Sequence, residues 1–167
     1  MGMIGNYLSV TQEELENYLA DSGLLEERIY GPENHNETNL IDIDKSWEGI
    51  FFLLTGKSLA NAGEAATPLQ WVLMPPQIID PELDMGYGPA FFTTIQQTKE
   101  ISTALNAIST EELKTKYDGQ LMLDLGIYPE IWNDSDSLEY LIEDFNTLKE
   151  FYNQAAAKEL AVIVFIN

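Results

Sequence analysis

One histidine and no cysteine stand among the 167 residues. Thiol nucleophiles, disulfides, iron–sulfur clusters and zinc–thiolate sites are therefore excluded, and a metal would have to be a hard cation on oxygen ligands. His35 is the only side chain whose ordinary pKa lies near neutrality. It stands in the polar loop Gly31 to Thr38, where a catalytic base would lack a rigid support, so an exposed loop histidine is expected. Asp42-Ile43-Asp44 has two readings. Both carboxylates could face one side of an extended segment, as magnesium binding or acid–base work requires, or Asp44 could cap the helix that follows. Asp80, Glu82 and Asp84 alternate like the first half of a calcium loop, but Met85 and Phe91 occupy the places where that loop needs Gly and Glu. Gly86-Tyr87-Gly88-Pro89 lacks the third glycine of a dinucleotide-binding turn, no Walker lysine follows it, and no Gly-x-Ser-x-Gly elbow occurs. No catalytic residue, metal or cofactor is assigned.

Two groups of residues could instead bind something. Tyr87, Tyr128 and Trp132 lie in Gly- or Pro-bearing stretches, where aromatics either tether a loop or line a cleft; with Asp42 they form the candidate cleft. Trp47 reads as core. The second group is acidic. Asp136, Glu139, Glu143 and Glu150 recur at spacings of three, four and seven, so a helix would carry them on one face opposite Leu141, Phe145, Leu148 and Tyr152. Such a face is either a solvated surface or a docking site for a basic protein.

The whole chain shares this bias, with 28 Asp and Glu against 8 Lys and Arg and a formal net charge of −20. Residues 1–44 hold ten acids and one base, and residues 128–150 hold seven and one. Nucleic acid and anionic lipid are disfavoured partners, because both demand clustered cations. Aromatics at 11% and apolar residues at 45% are enough for a folded core rather than a disordered acidic tail. The apolar runs Ile50–Leu54 and Leu160–Ile166 are far shorter than the roughly 20 residues that span a bilayer. The start, Met1-Gly2-Met3-Ile4-Gly5, has no basic, apolar and small-residue order of a secretory signal, so a cytoplasmic location is expected.

Several elements must position these groups. Capping-box pairs predict helix starts at Thr11 with Glu14, Thr67 with Gln70, Thr94 with Gln97, and Ser109 with Glu112, with a similar start at Asp136 with Glu139. Asp44 precedes the apolar face Trp47, Ile50, Phe51, Leu54, and Gly56 should end that helix. Leu138 to Lys158 predicts the longest helix. Ala161 to Ile166 reads as a strand buried on both faces, paired with Met3 to Val10, and Leu40–Ile43 and Ala90–Thr93 as short extended pieces. The expectation is one helix-rich α+β domain over residues 1–167, with a small mixed sheet that includes strands from both ends of the chain.

Leu40-Ile41-Asp42-Ile43-Asp44-Lys45-Ser46-Trp47, Leu53-Leu54-Thr55-Gly56, Gly86-Tyr87-Gly88-Pro89-Ala90 and Ile127-Tyr128-Pro129-Glu130-Ile131-Trp132, together with the start and the stretch Phe151 to Ala157, resemble in order the YfbM-like family of bacterial proteins, a domain of unknown function numbered 1877. The resemblance implies an α+β fold and carries no site residues. The functional expectation therefore rests on charge. It is a non-catalytic cytosolic binding protein that docks or neutralises a basic protein, as an immunity protein does. The alternative is a small-molecule-binding protein or enzyme with its cleft near Tyr87, Tyr128 and Trp132.

Overall fold

Ala161–Ile166 is apolar on both faces because it forms β5 in the middle of a sheet that is covered on each side. The structure is a computed structural model and describes residues 2–32 and 37–167. His35 lies outside the described residues. β1 (Gly5–Val10) runs antiparallel to β5 from Gly5 opposite Ile166 to Val10 opposite Ala161, and Ile4 and Asn167 extend the ladder by exchanging both backbone bonds. β2 (Leu40–Asp42) lies on the far side of β1, while β4 (Phe91–Thr93) and β3 (Gln77–Ile78) continue beyond β5, for the order β2-β1-β5-β4-β3.

All four pairings are antiparallel, so the sheet is not the mixed one expected. A parallel neighbour is made by one crossover helix. Here two helices separate β1 from β2, and four separate β4 from β5. The two-residue β3 is too short to leave a periodic signal in the sequence.

Among the described residues there are seven α-helices. α3 (Trp47–Thr55), α4 (Ile95–Asn106) and α7 (Ser137–Ala157) cover one face of the sheet, where Tyr7, Val162 and Val164 point. α1 (Gln12–Ala20) and α2 (Gly23–Tyr30) cover the other, over Leu8, Ile163 and Phe165. α5 (Thr110–Lys116) and α6 (Gly119–Asp124) fill the turn between α4 and α7. Tyr7 meets the rings of Phe151 and Tyr152 edge-on, with centroids 6.3 and 6.1 Å away, which locks α7 against the sheet. None of the described helices is long and apolar enough to cross a membrane.

The helix starts divide by whether a side chain performs the cap. Thr11 and Thr94 form full capping boxes with Glu14 and Gln97, and Ser109 Oγ accepts from the amide of Glu112. Gly56 ends α3 in the left-handed region at φ 71°, as its lack of a Cβ allows. Three expected starts differ. Thr67 leads into a 3-10 turn, Leu69–Val72, and the Gln70 side chain donates instead to the carbonyls of Ala62 and Gly63. Asp136 precedes α7 without capping it, because its carboxylate accepts from the Ser135 hydroxyl. Asp44 does not cap α3 either, and its carboxylate has another partner, described below.

From Trp47 to Leu54, α3 is buried all round, which places Glu48 and Gly49 inside the protein. A Cβ on Gly49 would lie 2.7 Å from Trp132 Cη2 and 2.8 Å from Leu141 Cδ2. Only a hydrogen fits there, and the missing side chain is what lets the indole of Trp132 lie against the helix.

Candidate functional site

Of the expected cleft residues, Tyr128 alone reaches a hollow with polar walls. Its ring stacks on Trp47 with centroids 5.6 Å apart, its hydroxyl accepts from the amide of Met3 at 2.9 Å, and its own amide donates to Glu48 Oε2 at 2.9 Å. Glu48 Oε1 accepts from the amide of Leu59 at 2.7 Å, so one buried carboxylate ties two loops to α3. Behind Tyr128, the indole of Trp132 donates to the Ile127 carbonyl at 2.7 Å. Trp132 is fully buried, so it pins the loop from within and does not line a cleft.

The hollow beside Tyr128 measures about 590 Å³, and Asp44, Lys45, Asp134, Asp136 and Tyr140 are among its walls. The Tyr140 hydroxyl donates to Asp44 Oδ2 at 3.1 Å and accepts from the Lys45 amide at 3.0 Å. Burial, then the neighbouring Asp44 carboxylate, pushes this hydroxyl well above its ordinary range, so it remains a donor. Asp44 adopts a left-handed φ of 43° between β2 and α3, which directs its carboxylate to Tyr140 rather than to the helix amides. Asp42 is exposed at the end of β2, where its Oδ1 accepts from the Asp44 amide, and it does not line the hollow. Tyr87 is remote from this site. It is 57% exposed in the turn closed by Asp84, whose Oδ1 accepts from the amides of Gly86 and Gly88, and it borders an apolar hollow of about 150 Å³ with Phe91 and Ile166.

Asp136, Glu139, Glu143 and Glu150 are all exposed along α7 or at its start. Asp136 lines the Tyr128 hollow, and Glu150 lines a second hollow of about 650 Å³ between α7 and the β1–β2 side of the sheet. The acidic row thus joins two concave surfaces. None of its four carboxylates makes an ion pair among the described residues, because the paired cations are Arg28, Lys57, Lys99, Lys114 and Lys116, which stand on other elements. Nor do the described residues contain a group of three or more acids or histidines that could hold a metal. Asp80 follows the same pattern as Asp84. Its carboxylate accepts from the Ser22 hydroxyl and the Glu82 amide, which holds it below the usual range and leaves it as turn structure.

Asp144 lies one turn after Tyr140 and is half-buried, with Oδ2 enclosed and without a hydrogen-bond partner. Burial raises its pKa; the nearby Ser46 hydroxyl opposes the rise, and the charges of Asp44, Asp42 and Glu143 add to it. A carboxyl raised in the folded state binds its proton more tightly there than in the unfolded chain. It therefore adds stability as pH falls through the raised value, and the gain levels off below the unfolded value of about 3.9. Asp144→Asn should melt a few degrees above wild type at pH 7, and the advantage should shrink toward acid pH. Thermal unfolding across pH checks this; an advantage that is independent of pH would contradict it.

A family model described as a domain of unknown function, DUF1877, matches residues 1–165. The chain belongs to this family. Its fold is similar to the crystal structure of YfbM from Escherichia coli, itself titled a protein of unknown function, over 98% of this chain and 99% of that one, with a TM-score of 0.74 and 19% identity. No curated protein matches. Within this DUF1877 chain, Glu48 and Tyr140 were missed by sequence reasoning. Tyr140 carries no distinguishing mark, but Glu48 does, as a lone acid in the otherwise apolar helix Trp47 to Leu54.

Proposed function

We propose that this protein binds a basic protein partner through the acidic row of α7, with the hollow between Tyr128 and Tyr140 receiving a lysine or arginine side chain. The observation that carries this reading is that, among the described residues, Asp136, Glu139, Glu143 and Glu150 make no ion pair, although five of the eight cations pair with acids on other elements. Like charges at these spacings repel, and an opposite surface relieves that repulsion. The hollow adds shape and chemistry. Asp44, Asp134 and Asp136 supply negative charge, and two tyrosine rings can flank an alkyl stem and its cationic head.

A concrete test is capture from the native host at low and high salt, comparing wild type with the variant Asp136→Asn, Glu139→Gln, Glu143→Gln, Glu150→Gln. Wild type should retain a basic protein at low salt and release it at high salt, while the neutralised row should lose it by about tenfold or more. Retention by both proteins, or by neither, would sink the reading. Neutralising a basic toxin, as an immunity protein does, is the specific form that the captured partner would identify.

The Tyr128 hollow also supports a second reading, in which the ligand is a small organic cation. A thermal-shift screen of amines tests it, since ligand at 100 times its Kd stabilises by about 2.7 kcal/mol. No shift with any amine removes this reading and leaves the first.

A further inference from the structure

We infer that the outer edge of β2 accepts an extended basic segment of a partner protein as a sixth strand, with Glu150 facing that segment from the adjoining groove. This deepens the docking reading and rests on it, because it states how the partner engages.

β2 ends the sheet. The Ser9 amide donates to the Asn39 carbonyl, Ile41 lies opposite Tyr7, and the Ile43 amide donates to the Gly5 carbonyl. Residues 39, 41 and 43 therefore turn their peptide groups toward β1. Because those groups alternate along an antiparallel strand, the N–H and C=O of Leu40 and Asp42 face outward, and no described strand pairs with them. Such an edge is a template for an incoming strand.

Beside this edge lies the hollow of about 650 Å³, with Ile41, Phe151 and Leu160 as apolar lining, Glu150 and Gln154 on the α7 side, and Lys158 just past the end of that helix. An added strand would gain backbone bonds from Leu40 and Asp42 and would turn every second side chain toward the groove. Charge selects the occupant. Exposed Asp42 on the edge and Glu150 in the groove oppose an acidic segment, and a second copy of this chain would bring another −20 to the same place. A basic extended segment meets neither obstacle, and the one cation in the lining, Lys158, places its basic residues toward Asp42 and Glu150 rather than beside the end of α7.

The probe is a display library of short segments with Lys or Arg at alternate positions and random residues between them, panned against the full chain. The tightest binder is then titrated into isotope-labelled protein. The Leu40 and Asp42 amides should shift and exchange their hydrogens at least about tenfold more slowly. Glu150→Lys should weaken binding by about tenfold, whereas Glu13→Lys, the same charge change on the exposed side of α1 across the sheet, should not. Binders that shift Tyr128 and Tyr140 but leave Leu40 and Asp42 unchanged would overturn strand addition and spare the docking reading. Equal weakening by Glu13→Lys and Glu150→Lys would reduce the effect to bulk charge and also overturn it. A library that yields no binder would overturn both.

Discussion

Glu48→Ala should lower the stability of the folded protein by about 3 kcal/mol or more, and Glu48→Gln by roughly half as much. The alanine leaves two amides, those of Leu59 and Tyr128, without their acceptor in a buried setting, and an orphaned buried donor costs about 1–3 kcal/mol. The glutamine keeps one oxygen but sets an NH2 group against the other amide, so only one bond survives. For a chain of this size each kcal/mol shifts the melting point by about 2–4 °C, so the alanine variant should melt roughly 6–12 °C below wild type. The expected consequence reaches the candidate site. Glu48 lies behind the hollow, yet its loss frees the Tyr128 loop, so binding of a cationic probe there should weaken although no lining residue has changed. Urea unfolding and the Tyr128 amide resonance measure the two effects. An alanine variant that melts within about 2 °C of wild type would show that water or a relaxed loop replaces the carboxylate.

Glu48 also marks where sequence reasoning stopped. The central ladder could be read because Ala161 to Ile166 is both apolar at every position and rich in β-branched residues, as a strand covered on both faces requires, and the acidic row could be read because helical spacing is regular. Thr11 and Thr94 signalled their helices because a cap is a local contact between a side chain and an amide three residues away. Contacts between distant residues left no such trace. The Asp44 carboxylate looked like a cap from its neighbours, but its partner is Tyr140, 96 residues further on. Trp132 and Tyr128 looked alike as loop aromatics, and only the space above Gly49 decides that one is buried and the other borders a hollow. The family resemblance could supply the fold for the same reason that it could not supply a function. Fold follows from patterning along the whole chain, whereas a site depends on a few contacts that distant parts of the chain converge to make.

Removing Arg28, the only arginine in the chain, should have the second large effect. Its Nε and Nη2 reach the two oxygens of Glu37 at 3.0 and 3.2 Å, while Nη1 donates to Glu14 at 3.1 Å and to the Tyr18 hydroxyl at 2.7 Å. This fork ties α2 to α1 and to the residues that enter β2, for Glu37 Oε1 also accepts from the amide of Asn39. The arginine side chain is 15% exposed and that of Glu37 18%, so the pair is shielded from solvent far more than an ordinary surface bridge. Arg28→Met strands the Glu37 carboxylate and should cost about 2–4 kcal/mol; Arg28→Lys keeps the charge without the fork and should recover only part of that. The pH dependence separates this from simple packing loss. Hydrogen bonds from Arg28 hold the Glu37 carboxyl below its ordinary value, so the associated stability is present above the unfolded pKa of about 4.3 and is lost as pH falls through the folded one. The stability gap between wild type and Arg28→Met should therefore be widest near neutrality and close in acid, whereas a constant gap would assign the loss to packing. Because Asn39 leads directly into β2, Arg28→Met should also loosen the edge strand, so the Ile41 and Ile43 amides, which face β1, should exchange their hydrogens faster than in wild type.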